Sequence, residues 1–99
     1  MNTPETICQE ADRITSTDRQ DDYGHPIHNL TRTARIWEVV LNLPTGSITP
    51  EQVGLCMIGT KLARESFKHK RDNLTDCAGY GNVVQAIYDY RAREVASNP

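Results

Sequence analysis

Two stretches of this 99-residue chain concentrate side chains that can hold an anion. The first is Asp18-Arg19-Gln20-Asp21-Asp22-Tyr23-Gly24-His25-Pro26-Ile27-His28-Asn29, a polar loop running into a helix. Backbone donors at a helix start favour an anion, and Gly24 allows close approach of a ligand. Arg19 and His25 add charge-assisted donors for phosphate, Tyr23 offers a stacking face, and Asn29 can read a base edge. A polar loop closed by an ordinary helix cap accounts for the same residues.

The second stretch spans two helices. Lys61, Arg64 and Lys68 recur at i, i+3 and i+7, and Asp72 and Asp76 follow at i and i+4. A short turn between antiparallel helices brings these stripes together. Lys61 lies inside the apolar run from Val53 to Ala63, where an unpaired ammonium is costly. Pairing with Asp76 and a phosphate site both satisfy that constraint. A third, acidic set, Glu10, Asp12, Glu38 and Glu65, is of the type that coordinates magnesium. Glu10 and Glu38 read more simply as solvated helix faces, and Trp37 and Met57 as core residues.

These groups must be positioned by helices, because every periodic segment repeats near 3.6 residues and none alternates like a strand. Thr3-Pro4-Glu5 marks a helix start, with Ile7, Ala11 and Ile14 as its stripe. Pro26 opens a second helix with Ile27, Leu30, Ala34, Trp37 and Leu41 on one face, closed by Pro44 and Gly46. Thr49-Pro50-Glu51-Gln52 is a capping box opening the third, whose face is Val53, Cys56, Met57, Thr60, Ala63 and Phe67. The basic end Lys68-His69-Lys70-Arg71 complements its negative terminus.

Asp72 can cap the fourth helix, in which Leu74, Cys77, Ala78, Gly81, Val84, Ile87 and Tyr88 are the apolar positions. Tyr80, Val83, Ile87 and Tyr90 form a second stripe on that helix, and a wide apolar arc predicts a homo-oligomer. The expected fold is therefore all-α: a four-helix bundle-like single domain over 1–99, with helices near 4–18, 26–43, 50–69 and 72–95.

Composition narrows the function classes. With Lys+Arg 11 against Asp+Glu 13 and a net charge of -2, the chain lacks the cationic field of a general DNA or RNA binder. No stretch approaches the ~20 apolar residues of a membrane span, and no signal peptide is visible, so a cytoplasmic location is expected. Cys8, Cys56 and Cys77 have neither zinc nor disulfide spacing and read as small core residues in a reducing compartment.

Taken together, Asp18-Arg19, Tyr23-Gly24-His25-Pro26 with Asn29, Trp37, Thr49-Pro50, Lys61-Leu62-Ala63-Arg64, and Asp72 with Asp76-Cys77-Ala78-Gly79-Tyr80 form a spaced pattern over residues 5–90. The pattern resembles a family of small phage-encoded proteins labelled MazG-like or nucleotide-modification-associated. That resemblance implies an all-α fold of the nucleotide pyrophosphohydrolase type, assembly from several copies, and a nucleotide bound among the helices. Hydrolysing members carry E-x-x-E on one helix and E-x-x-D on the next, which hold magnesium against the triphosphate.

This chain has no E-x-x-E; Lys61 and Arg64 stand where the first acidic pair is expected, and Asp72 and Asp76 roughly where the second would be. Two cations repel a metal and attract phosphate directly. The leading expectation is therefore a homo-oligomeric binder of a nucleotide or nucleotide-derived molecule, with no cofactor and no hydrolysis. Its ligand set is Arg19, Tyr23, Gly24, His25, Asn29, Lys61, Arg64, Asp72, Asp76 and Tyr80. Such a binder could sequester a cyclic dinucleotide or ADP-ribose type immune signal. The alternatives are a magnesium-dependent pyrophosphohydrolase using Asp72, Asp76 and Glu38 or Glu65, and a helical module that binds a protein partner through helix 4.

Overall fold

The computed structural model describes residues 3–18 and 24–97; Arg19 and Tyr23 of the expected ligand set lie outside the described residues. The described residues form four α-helices and no strand: α1 (Ile7–Arg13), continued by a π-helical turn (Ile14–Asp18), α2 (Pro26–Leu41), α3 (Pro50–Phe67) and α4 (Arg71–Ser97). The all-α class is as expected, and no described helix is long and apolar enough to cross a membrane.

Helix ends follow local chemistry more closely than the sequence pattern suggested. α1 begins at Ile7 and not at Pro4, because Thr6 and Gln9 form a reciprocal capping box that satisfies two orphan donors. Thr15 Oγ1 then donates to the Ala11 carbonyl at 2.7 Å, and Ser16 to that of Asp12. Such back-bonding competes with the α-helical ladder, and the wider π turn sits at these residues.

α2 ends at Leu41, where Asn42 takes the left-handed conformation (φ 56°). The expected Thr49 capping box opens α3. α3 stops at Phe67 because Lys68 is extended (φ -154°). α4 starts at Arg71, so Asp72 stands inside its first turn and is not its cap.

α4 is the hub: α3 packs along it most extensively, then α1, while α2 leans on α3 and α4. The core is Leu30, Ala34, Val53, Val83 and Ile87, with Ile27, Trp37, Ile48 and Tyr80 partly buried around it. Burying a side chain such as Ile87 contributes about 1.5–3 kcal/mol. Two glycines set the helix spacing. A Cβ on Gly54 would meet Val84 Cγ2 at 2.6 Å, and one on Gly79 would meet Thr15 Cγ2 at 3.3 Å, so α3 and α1 both approach α4 over a missing side chain.

Several burial expectations are corrected. Val83 and Ile87 of the second α4 stripe are core residues, so that stripe is not an exposed interface. Cys8 and Cys56 are exposed and Cys77 is half-buried with its Sγ toward the Ile58 carbonyl, so the cysteines are not core fillers. Phe67, expected on the inner face of α3, is 93% exposed, because the helix runs past the end of the core. Leu41 is likewise exposed, and Glu38 is the reverse case, only 2% exposed.

Candidate functional site

A cleft of about 130 Å³ opens where α1, α3 and α4 meet. Ile14, Met57 and Val83 give it apolar walls, Gly79 keeps it open, Tyr80 presents its ring, and Lys61 and Asp76 form its polar end. The hydroxyls of Thr15 and Thr75 also face it, but each already donates to a carbonyl of its own helix, Ala11 and Arg71 respectively. Lys61 and Asp76 are thus its charged groups, 2.7 Å apart from Nζ to Oδ2. Asp72 Oδ2 stands at 4.0 Å from the same ammonium.

The Lys61 side chain is 13% exposed, so burial demanded a partner and Asp76 supplies it. Of the two explanations the sequence left open, the ion pair is present. Asp76 stays 30% exposed, which leaves its carboxylate reachable from solvent.

Lys61 also lines a second, larger depression of about 620 Å³ on the other side, formed by the end of α3 and the start of α4. Arg64, Phe67, Lys68, Lys70, Asp72 and Asn73 complete its wall. The side chains of Arg64, Lys68 and Lys70 make no hydrogen bond or ion pair with the described residues. Beneath them Glu65 ties the turn together, accepting from the Lys70 backbone N–H at 3.1 Å and from Asn73 Nδ2 at 3.2 Å, with His69 beside it. The hydrogen bond to His69, then that from the Lys70 backbone, holds the Glu65 carboxyl below its ordinary range.

The first constellation sits elsewhere. Gly24 has φ +76°, a conformation that needs glycine, and a Cβ there would meet open space. His25 is the N-cap of α2: its Nδ1 accepts from the Ile27 N–H at 3.1 Å, which leaves Nε2 as the nitrogen that carries the proton in the neutral ring. Burial, then Arg93 and His28, lower its pKa and favour the neutral ring. Its ring centroid lies 5.0 Å from that of Tyr90.

Tyr90 is fourteen residues beyond Asp76 on one helix, about 21 Å at 1.5 Å per residue. His25 thus packs toward the later part of α4, whereas Lys61, Asp72 and Asp76 meet near its start.

The carboxylates assigned to a metal are dispersed too. Glu38 accepts from the backbone N–H groups of Gly46 (3.0 Å) and Ile48 (2.9 Å) and lies 2.9 Å from Arg35 Nε, an ion pair whose N–H is not aimed along the oxygen. Arg35 also donates to the Ile48 carbonyl at 2.8 Å, so this acid closes the α2–α3 connection and is no solvated face. Glu10 pairs with Arg71 at 3.1 Å, joining α1 to α4. Among the described residues no group of three or more His, Cys, Asp or Glu side chains gathers as a metal site.

Sequence reasoning did not assign Met57, Thr75 and Gly79 to the cleft, or Phe67, Lys70 and Asn73 to the depression. The usable signal was spacing: Met57 is one turn before Lys61, and Gly79 is three residues after Asp76.

The fold and cleft define a small all-α domain with a shielded lysine–aspartate pair at the crossing of its two longest helices. The chain belongs to the family described as "Domain of unknown function (DUF6378)", which it matches over residues 6–88. It is 35% identical over 86 residues to the Gene 55 protein of Mycobacterium phage D29, covering 86% of this chain and 55% of that protein. It is 33% identical over 84 residues to the Gene 55 protein of Mycobacterium phage L5, covering 83% of this chain and 52% of that protein. The chain thus spans about half the length of these relatives. No solved structure matches it.

Proposed function

We propose that this chain binds a nucleotide-type phosphorylated small molecule at the α3–α4 crossing and holds it without cleaving it. The observation that carries this reading is Lys61, a shielded ammonium forming the common wall of an apolar cleft and a cationic depression. A planar base fits between Met57, Gly79 and Tyr80, and its phosphates pass Lys61 toward Arg64. Asp76 holds the ammonium in place until phosphate arrives, and its exposed oxygen is free to accept from a sugar hydroxyl.

The cleft alone is smaller than the roughly 300–1,000 Å³ usual for small-molecule sites, so the phosphates belong in the adjoining depression. The resemblance to MazG-like proteins supports a nucleotide over other anions. In a phage setting, such a binder would act in the host cytoplasm by keeping a nucleotide signal of cyclic or ADP-ribose type out of circulation.

A thermal-shift panel of nucleoside mono-, di- and triphosphates, ADP-ribose and cyclic dinucleotides tests it, because a ligand bound only by the folded state raises Tm. At least one ligand should raise Tm by several degrees. No shift at millimolar concentration for any of them rejects the reading. Magnesium-dependent release of pyrophosphate would replace it with hydrolysis.

We also propose that two copies associate through the outer face of α2, not through α4. Ile36, Val39 and Val40 recur at i, i+3 and i+4 on α2, Leu43 follows just past its end, and all four are exposed, Val39 by 80%. The surface of 6800 Å² exceeds the about 5,700 Å² typical of a 99-residue chain, an excess comparable to one side of a standard interface. The molecule is also a slab of 51 × 36 × 20 Å, only two helix diameters thick. Val40→Glu should convert a dimer to a monomer in light scattering without lowering helicity; a wild-type monomer at high concentration rejects the interface.

A further inference from the structure

Resting on the nucleotide reading, we infer that the depression beside Lys61 is a second ring-binding subsite, so that the ligand is a phosphate-bridged dinucleotide and not a mononucleotide. Four cations, Lys61, Arg64, Lys68 and Lys70, line it against a single carboxylate, Asp72. Three of the four are unpaired among the described residues, which leaves the depression strongly attractive to an anion.

Phe67 forms its rim and is 93% exposed. Nothing in the fold uses that ring: α3 has left the core, the next residue is already extended, and the aromatic face meets solvent. An exposed aromatic ring among unpaired cations is the chemistry that receives a base with its phosphate.

Lys61 and Phe67 are six residues apart on α3, about 9 Å along its axis. One phosphate does not cover that span, but a phosphate-bridged link between two nucleosides does. The first ring then occupies the cleft by Tyr80, the bridge crosses Lys61 and Arg64, and the second ring stacks on Phe67. The four cations sit on one rim of a chain whose net charge is -2, which favours a short anion over a nucleic-acid polymer.

The test is calorimetric titration of wild type and Phe67→Ala with the four nucleoside diphosphates and with 5′,5′-bridged, linear 3′,5′-linked and cyclic dinucleotides. Phe67 makes no core contact, so the substitution should leave Tm unchanged. At least one dinucleotide should bind wild type tenfold or more tighter than the matching mononucleotide. Phe67→Ala should weaken that dinucleotide roughly five- to tenfold while mononucleotide affinity stays within twofold.

Equal affinities for both classes, with no effect of Phe67→Ala, overturn the second subsite and leave the nucleotide reading standing. Binding of no nucleotide at all overturns both. Affinity that climbs steadily with length across oligonucleotides of four to twelve residues assigns the depression to single-stranded nucleic acid and overturns the inference as well.

Discussion

Glu38 and Lys61 are both charged side chains withdrawn from solvent, and their surroundings differ. Glu38 is enclosed at the α2–α3 connection by two backbone N–H groups and Arg35. Burial alone would raise its pKa, but the hydrogen bonds from Ile48 and Gly46, with Arg35, outweigh that and hold the carboxyl below its ordinary range. Lys61 has one close partner, Asp76, and lines both the cleft and the depression. A buried charge held by two backbone N–H groups and a guanidinium is a fastener. A shielded charge with one close, part-exposed partner and an adjoining cleft is the one the proposed ligand would use.

The contrast breaks first at Glu38. Glu38→Ala strands the N–H groups of Gly46 and Ile48 together with the Arg35 guanidinium, and should lower Tm by about 10 °C or more in a thermal melt. A loss of only a degree or two would mean the α2–α3 connection is held by something else.

Gly54→Ala comes next. The new methyl would meet Val84 Cγ2, on a β-branched side chain with little freedom to move, at a cost of about 1–3 kcal/mol by chemical denaturation. Adding Val84→Ala should recover part of it. If Gly54→Ala is neutral, the α3–α4 spacing that places Lys61 against Asp76 is softer than this packing implies.

Lys61→Ala is the pivot of the comparison. It should cost ~1–2 kcal/mol of stability, less than Glu38→Ala, because Asp76 can turn to water. Ligand affinity should fall tenfold or more, about 1.4 kcal/mol. The opposite pattern, a large stability loss with ligand binding intact, would make Lys61 a fastener like Glu38.

This contrast was only half legible in the sequence. Helix positions, the Thr49 capping box and the facing of Lys61 toward Asp76 follow from local spacing, which fixes which residues share a face of one helix. Burial of Glu38 depends on where the loop after Leu41 folds back, and no periodicity encodes that. Phe67 misled for a related reason: its spacing continues the inner stripe of α3, but the core ends before the helix does. His25, grouped with the Lys61 stripe on residue type, packs against Tyr90 in the later part of α4, a tertiary fact that motif spacing does not carry.

Titration sharpens the same division at smaller amplitude. The side-chain hydrogen bond from Arg91 lowers the Glu51 pKa to about 2 against an ordinary 4.5. A carboxyl depressed in the folded state contributes stability that is complete above the unfolded pKa and lost as pH falls through the folded one. Wild type should therefore lose Tm relative to Glu51→Gln between about pH 4.5 and 2, with the difference between them constant at higher pH. Parallel curves down to pH 2 would show the pair to be screened by solvent.

The smallest effect expected is at the cap of α2. His25 is favoured neutral, by burial first and then by Arg93 and His28, and its Nδ1 must stay unprotonated to accept from Ile27. A histidine whose folded pKa lies below its unfolded 6.5 contributes stability present above that value and lost as pH falls through the folded one. Wild type should lose a degree or two of Tm relative to His25→Asn on going from about pH 7 to 5, since asparagine caps without titrating.

Ligand affinity supplies the sharper reading of that variant. His25 packs on Tyr90, which is about 21 Å from Asp76 along the axis of α4, so nucleotide affinity at pH 7 should match wild type within twofold. A tenfold loss in His25→Asn would mean that the glycine turn reaches the same ligand after all, and that the two constellations act as one site in the assembled protein.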